Sequence, residues 1–586
     1  MSSPIERAKS ISLKAITIYV SAWSIYYLAQ EVLRKQELTR RKTKFPLKAP
    51  NLPSNLSSTR QEQRSGGACT RPRSKLKRSK RSERRQNSVA ALGTESKDRL
   101  VAQRLQVLSK SLAEEEEEEE DRHTDSGIES SHPKEVEEGK LFGGSSSSVA
   151  TRTRWRSDGR HPRNHWYGSA SEHEIFNITN RFASLKILGR YTNVTPEWRE
   201  QGAWEWLLWK GLYSVFYKPR IWWDGGLSKS KSDPKGKQLI EKLLPVHMLD
   251  AYKLWGQDRR VGMGGERCRA RPPSAAKSSG STFTWIGQST CLIQLHGVNI
   301  LTDPVFGDVP VESFMSPRRM RPMPCTFQEL FRISRIDVIL LTHNHFDHLD
   351  VDILPKVPAH VKWLVPLGLT GILVENGIQE DRITELDWWQ SCELALDLPV
   401  RLAVDEEEGE GAPVKVEFRR RRLKVTATPA SHWSGRNGLD TNRTLWNSYA
   451  VKCQALQEVE IVPEASLFFC GDTGYSSKLF TSIGRYLGPF DLGCFPIGSY
   501  EPEWHMSIQH MHVRESVKAA IDIGSRTNFG MHWGTWTMSD ETWFQPHYDL
   551  ETCLRERGLE SEFFSTVGFG ETVDVEVGRE ELEEEE

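Results

Sequence analysis

The chain has 586 residues, with 78 Lys and Arg against 79 Asp and Glu, for a formal charge of −1. That length allows several domains, but the near-neutral balance removes net-charge attraction as an argument for any class of partner. Nine cysteines with no CxxC pair argue against a disulfide framework and read as the reduced, buried thiols of a cytosolic domain.

Balanced overall, the charge is segregated along the chain. Residues 11–29 form the most apolar stretch, interrupted by Lys14 and flanked by Arg7 and Lys9 before it and by Arg34, Lys35 and Arg40 to Lys42 after it. A spanning helix needs about 20 apolar residues, so residues 1–45 read as a membrane-associated segment, either an anchor or an interfacial helix. An organelle-targeting peptide or an ordinary helix is the competing reading. The heavier basic flank follows the apolar stretch, which would leave the remainder facing the cytosol.

Residues 46–165 turn Pro-rich, then Arg- and Lys-rich, then acidic at Glu114 to Glu120, then Ser-rich, a composition with too little apolar area to offset its ordering entropy. The basic run Arg71 to Arg85 reads first as solvated linker, and otherwise as a contact for acidic lipid or nucleic acid. Asp125 to Ser130 resembles a phosphorylated degradation motif. Between 198 and 223, Trp198, Trp204, Trp206, Trp209, Tyr213, Phe216, Tyr217, Trp222 and Trp223 crowd among basic residues. That pattern suits a membrane interface, with a core helix as the equal alternative. Residues 256–280 form a Gly-, Arg- and Ser-rich linker, and Asp405 to Gly411 reads as an acidic surface insertion.

From Thr282 to about 400, short apolar runs alternate with helix-like segments, and a second such series covers 413–565. Ile336 to Leu341 is a buried-strand pattern. It runs directly into Leu341-Thr-His-Asn-His-Phe-Asp-His-Leu-Asp350, where three of the chain's 17 histidines and an aspartate fall within six positions as His343-x-His345-x-Asp347-His348. Imidazole nitrogen with carboxylate oxygen suits zinc, iron or manganese rather than calcium. Four such groups crowded together suit two ions better than one. Three further strand-like runs end in the same chemistry: Leu423 to Thr428 before His432, Leu467 to Cys470 before Gly471-Asp472-Thr-Gly, and Phe529-Gly-Met before His532. Open sheets place their sites at such strand ends.

The order His-x-His-x-Asp-His, lone His, Gly-Asp-Thr, late His resembles the metal signature of the metallo-β-lactamase superfamily. Thr284 to Thr290, Leu301-Thr-Asp-Pro-Val-Phe306, Trp363 to Gly368, Glu385 to Trp389, Gly471 to Tyr475, Gly488 to Leu492, Pro496 to Pro502 and His532-Trp-Gly-Thr535 narrow the likeness. They resemble the N-acylphosphatidylethanolamine-hydrolysing phospholipase D group, over about 186–570. The resemblance implies an α/β fold, an αββα sandwich over 166–573, followed by an acidic tail at 574–586. It also implies two zinc ions, with iron as the alternative: His343, His345 and His432 on one, Asp347, His348 and His532 on the other, and Asp472 bridging. Asp303, in Thr-Asp-Pro, is the carboxylate expected to orient a ligand histidine, against a plain strand-end turn.

Asp347, Asp472 and His510 are the implied catalytic residues, with His512 competing for the place of His510. His510, Tyr500 and Phe346 are the implied substrate contacts. The partners implied are a phospholipid and a membrane surface, without nucleic acid; a homodimer is compatible. The chain departs from the group's pattern at Met511 to Glu515 after His510, at Phe346 where Tyr is common and at Gln288 where His is common, and these departures leave open a hydrolase of another ester, lactone or phosphodiester.

Overall fold

The structure, a computed structural model, describes residues 4–47, 168–201, 205, 208–213, 231, 233–250, 253–254, 281–311, 316–401, 416–437, 439–456 and 463–578. Nearly all of the 46–165 tract lies outside these residues. So do the 256–280 linker, the acidic insertion at 405–411 and the final residues 579–586.

Helix α1 spans Pro4–Lys44. No helix among the described residues is long and apolar enough to cross a membrane. Gln30, Arg34, Leu38, Arg41 and Phe45 recur at helical spacing, and this face is turned to the protein: all but Leu38 are buried, and Leu38 packs against the core. The Arg34 guanidinium is 1% exposed and donates to the carbonyls of Asn193, Thr195 and Trp198 at 3.4, 3.1 and 2.6 Å. Arg41 likewise donates to Ala183 and Ser184. Residues 30–45 are therefore part of the folded domain. This departs from the expectation of a separate segment at 1–45, because arginines that read as a basic membrane flank instead saturate backbone carbonyls.

Helix α2 (Glu172–Arg181) starts at a capping box in which Ser171 and Glu174 satisfy each other's backbone N–H. The hairpin β1 (Lys186–Ile187) and β2 (Arg190–Tyr191) and helix α3 (Pro234–Leu243) follow. Two seven-stranded sheets then build the body of the domain. The first contains β3 (Thr282–Gly287), β4 (Thr290–Leu295), β5 (Val298–Thr302), β6 (Val338–Leu340), β7 (Lys362–Pro366) and β8 (Ile383–Leu386). The second contains β9 (Ser391–Arg401), β10 (Val416–Thr428), β11 (Ser448–Leu456), β12 (Ala465–Phe469), β13 (Phe490–Pro496), β14 (Ser525–Met531) and β15 (Phe564–Ser565). The chain returns through β16 (Thr572–Asp574) to the edge of the first sheet, beside β3. The acidic tail thus begins inside a strand, and Val575 beyond it is still buried.

Each sheet has three antiparallel pairings followed by three parallel ones, so the two halves repeat one topology. Side chains decide how they stack. Val338 and Leu340 of β6 join the main core with Val425 and Val451 of the other sheet, while Ile339 and Leu341 point to the opposite face, against Leu330 and Leu373. Those last two come from outer helices α4 (Phe327–Ile333) and α5 (Thr370–Glu375). Phe283 and Phe529 stack across the sheets at 4.3 Å. On the far side lie α6 (Ser477–Leu487), the short α7 (Glu503–Met506), α8 (Val513–Ile523) and α9 (Gln545–Arg557). Burial on both faces explains why the parallel strands read as continuous apolar runs. All seven described cysteines are free.

Candidate metal centre

Five strands end at one place. Asp303 follows β5; His343, His345, Asp347 and His348 follow β6; His432, Asp472 and His532 follow β10, β12 and β14. Two of these residues sit in backbone conformations uncommon for a side-chain-bearing residue, Asp303 at φ 35° and His532 at φ 64°. Such positions persist where the surroundings over-determine them, and they cluster at functional sites. The backbone of His532 is also packed closely by Gly498, where a Cβ would lie 1.9 Å from the His532 carbonyl.

The ligand-type atoms fall into two groups. In the first, His343 Nε2 and His432 Nε2 lie 2.8 and 3.3 Å from His345 Nδ1. In the second, Asp472 Oδ2 lies 3.0 Å from His348 Nε2 and 3.1 Å from His532 Nε2, and Asp347 Oδ2 lies 3.4 and 3.2 Å from the same two nitrogens. Asp472 also reaches the first group, 3.8 Å from His432 Nε2. The sequence singled out these seven residues, and the fold brings them together.

The opposite ring nitrogens of three of the histidines are anchored. His343 Nδ1 meets the Thr342 hydroxyl at 2.9 Å, His432 Nδ1 the Gln509 carbonyl at 3.0 Å, and His348 Nδ1 the Asp303 carboxylate at 2.8 Å. Asp303 is itself held by the Thr342 N–H and hydroxyl, both at 2.7 Å. This is how metal-binding imidazoles are aimed. Asp303→Asn is expected to weaken metal affinity by about 10–100-fold, read by competition with a chromophoric chelator while the melting curve stays cooperative.

Burial pushes the imidazoles of His345, His432 and His510 down to about 3, and that of His343 well below its ordinary value. At His532 burial acts the same way, but Asp472 and Asp347 outweigh it and hold the ring up at about 9; His348 is raised in the same manner. Asp347 and Asp472 stay well below the usual carboxylate range: burial opposes this, but the facing histidines prevail. One half therefore offers neutral imidazole nitrogens, and the other pairs two carboxylates with two imidazoles that they hold up. Among the described residues, buried His348 Nε2 and Asp472 Oδ1 have no hydrogen-bond partner, which a cation among these groups would remedy. The donor set fits two divalent ions.

His510 lies at this centre, its Nε2 3.9 Å from Asp472 Oδ2 and its ring 5.1 Å from that of His432. His512 does not: it caps α8 and packs on Tyr500. Tyr500 is fully buried with its hydroxyl on Asp549 at 2.8 Å, so the expected substrate contact becomes a support of the 500–512 loop. Phe346 is half-buried, with the Arg436 guanidinium 4.1 Å above its ring. Gln288 places Nε2 at 2.8 Å from both Asp347 Oδ2 and His532 Nε2.

Three contributors went unread in the sequence. Half-buried Trp433 lies 4.0 Å from the His345 ring. Asn193 pairs with both backbone groups of His432, at 2.7 and 3.0 Å, and Thr195 bonds Ser431. Only the neighbour of a ligand histidine, Trp433, carried any local signal. In the aromatic stretch, Trp198 and Trp209 are buried, with indole N–H groups on Glu200 and Asp540 at 3.1 and 3.0 Å. These two are core residues rather than an interface. Trp204, Trp206, Phe216, Tyr217, Trp222 and Trp223 lie outside the described residues.

Residues 298–533 match the family model described as a beta-lactamase superfamily domain. The chain is 30% identical over 397 residues to the mitochondrial N-acyl-phosphatidylethanolamine-hydrolyzing phospholipase D of Saccharomyces cerevisiae, covering 65% of this chain and 74% of the relative. It is 32% identical over 348 residues to N-acyl-phosphatidylethanolamine-hydrolyzing phospholipase D 1 of Caenorhabditis elegans, covering 58% and 82%. Among solved structures, the metallo hydrolase Igni18 of Ignicoccus hospitalis aligns with 50% of this chain and 98% of its own at 18% identity and a TM-score of 0.33.

Proposed function

The chain belongs to the metallo-β-lactamase superfamily and, within it, to the N-acylphosphatidylethanolamine-hydrolysing phospholipase D-like group, and from that premise we propose a binuclear metal-dependent phosphodiesterase that converts N-acylphosphatidylethanolamine to N-acylethanolamine and phosphatidic acid. The coarser statement, a metal-dependent hydrolase, follows from the membership itself. The observation that carries the finer one is Asp472, whose carboxylate stands between the two ligand groups. A carboxylate has two oxygens and can serve two ions at once.

In this reading His343, His345 and His432 would hold one ion, Asp347, His348 and His532 the other, and Asp472 would serve both. When bound, a zinc or iron pair supplies Lewis-acid polarisation of a phosphoryl group and a lowered pKa for water. The chain's own residues do the rest. Asp303, Thr342 and the Gln509 carbonyl fix the tautomers of His348, His343 and His432, so their other nitrogens face the reacting centre. His510, neutral and lacking a partner at Nδ1 among the described residues, would offer a ring N–H as a hydrogen-bond donor beside the reacting centre. Phe346 and Trp433 give that centre an apolar rim. The domain works at a membrane surface facing the cytosol; the yeast relative's name places that protein in mitochondria.

The purified full chain, produced with metal supplied, is expected to carry two zinc or iron ions by elemental analysis. One ion or none would overturn the binuclear assignment.

A further inference from the structure

A cavity of about 310 Å³ opens between α1 and the body of the domain, and it shares no residue with the metal centre. Arg34, Lys35, Arg41, Lys42, Arg181 and Lys478 line it, and among the described residues no carboxylate does. Glu31 pairs with Arg34 and Lys35, and Glu37 with Arg41, so part of the charge is neutralised from the sides. Arg181 is not neutralised in this way. Among the described residues its guanidinium meets the carbonyls of Lys42 and Phe45, at 3.5 and 3.4 Å. Lys42 and Lys478 are exposed at the opening. Arg34 and Arg41 are committed to carbonyls and carboxylates, so the cations left to meet a phosphate are Arg181, Lys42 and Lys478, one guanidinium with two ammonium groups.

A second observation says what carries the phosphate. Leu28, Val32, Lys35, Thr39 and Lys42 are spaced by four, three, four and three, and so share one face of α1. Along that face Leu28 and Val32 are exposed, as is Ile25 one turn earlier. The residues after them turn into the cavity. An exposed apolar stripe that continues into a cationic cavity matches a lipid surface, with acyl chains beside the stripe and phosphate in the cavity.

We propose that this cavity is a headgroup site for an anionic phospholipid, with Leu28 and Val32 inserted beside it, separate from the catalytic centre and independent of the reaction assigned above. The test is sedimentation of the purified full chain with phosphatidylcholine vesicles, with and without phosphatidic acid. The chain is expected to prefer the anionic vesicles, and Lys42→Gln with Lys478→Gln to reduce that preference about tenfold, two cations having left an anionic surface. Leu28→Ser with Val32→Ser should weaken binding to both vesicle types and leave the preference intact. Each variant's melting curve is compared with the parent's, to separate lost binding from lost folding. Equal binding to both vesicle types, or a preference untouched by the lysine changes, would overturn the site. Stabilisation by inorganic phosphate without vesicle binding would make it a free-anion site and overturn the lipid assignment.

Discussion

Asp472→Asn is expected to lower kcat by on the order of 10³ or more while the protein still folds. The carboxylate lies 3.0 Å from His348, 3.1 Å from His532 and 3.8 Å from His432, so it serves both ligand groups. The amide keeps the shape and one acceptor oxygen, but loses the charge and the second oxygen. Turnover on detergent-solubilised lipid, with metal content measured on the same sample, checks this. A near-native kcat with two ions retained would remove Asp472 from the bridging position.

Arg34→Ala is expected to cost about 3–5 kcal/mol, the range for breaking a buried ion pair by removing one partner. Three carbonyls lose their donor and Glu31 loses its main partner. The effect should reach the metal centre, because the segment that Arg34 holds is the segment whose Asn193 and Thr195 bracket Ser431 and His432. A misplaced ligand can lower activity by up to about a hundredfold. Chemical denaturation and turnover measured together test the link. Removing residues 1–24 should largely spare both quantities and removing 1–47 should impair both, since the buried residues of α1 recur from Gln30 onward, while Trp23 and Tyr26 make only partly exposed contacts with Arg190 and Leu188. If the longer deletion left stability and soluble-lipid turnover unchanged, α1 would be an appendage after all.

The reach of the sequence differs between these two residues for a physical reason. Asp472 is legible because its surroundings are local: an apolar strand, a glycine turn, then a carboxylate. His343, His345, Asp347, His348, His432 and His532 share that grammar, and the repeated alternation of apolar runs conveys the two stacked sheets. Asn193 and Arg34 act on backbone groups about 240 and 160 positions away, through side chains of ordinary type, and no local pattern marks such a bond. Tyr500 illustrates the opposite error. It stands in a segment beside the site, but its ring turns inward and its hydroxyl is taken by Asp549. For Trp198 and Trp209 the sequence left lipid and core open, since an aromatic cluster reads alike in both until the partner of each indole N–H is known.

The most direct test of the central claim is hydrolysis of N-acylphosphatidylethanolamine in ¹⁸O-labelled water by the metal-loaded full chain. Attack of water at phosphorus predicts unlabelled N-acylethanolamine and one ¹⁸O in the phosphate of phosphatidic acid. Label in a released fatty acid, or in the ethanolamide, would mean that these ligands serve a different bond, and the phosphodiesterase assignment would fall.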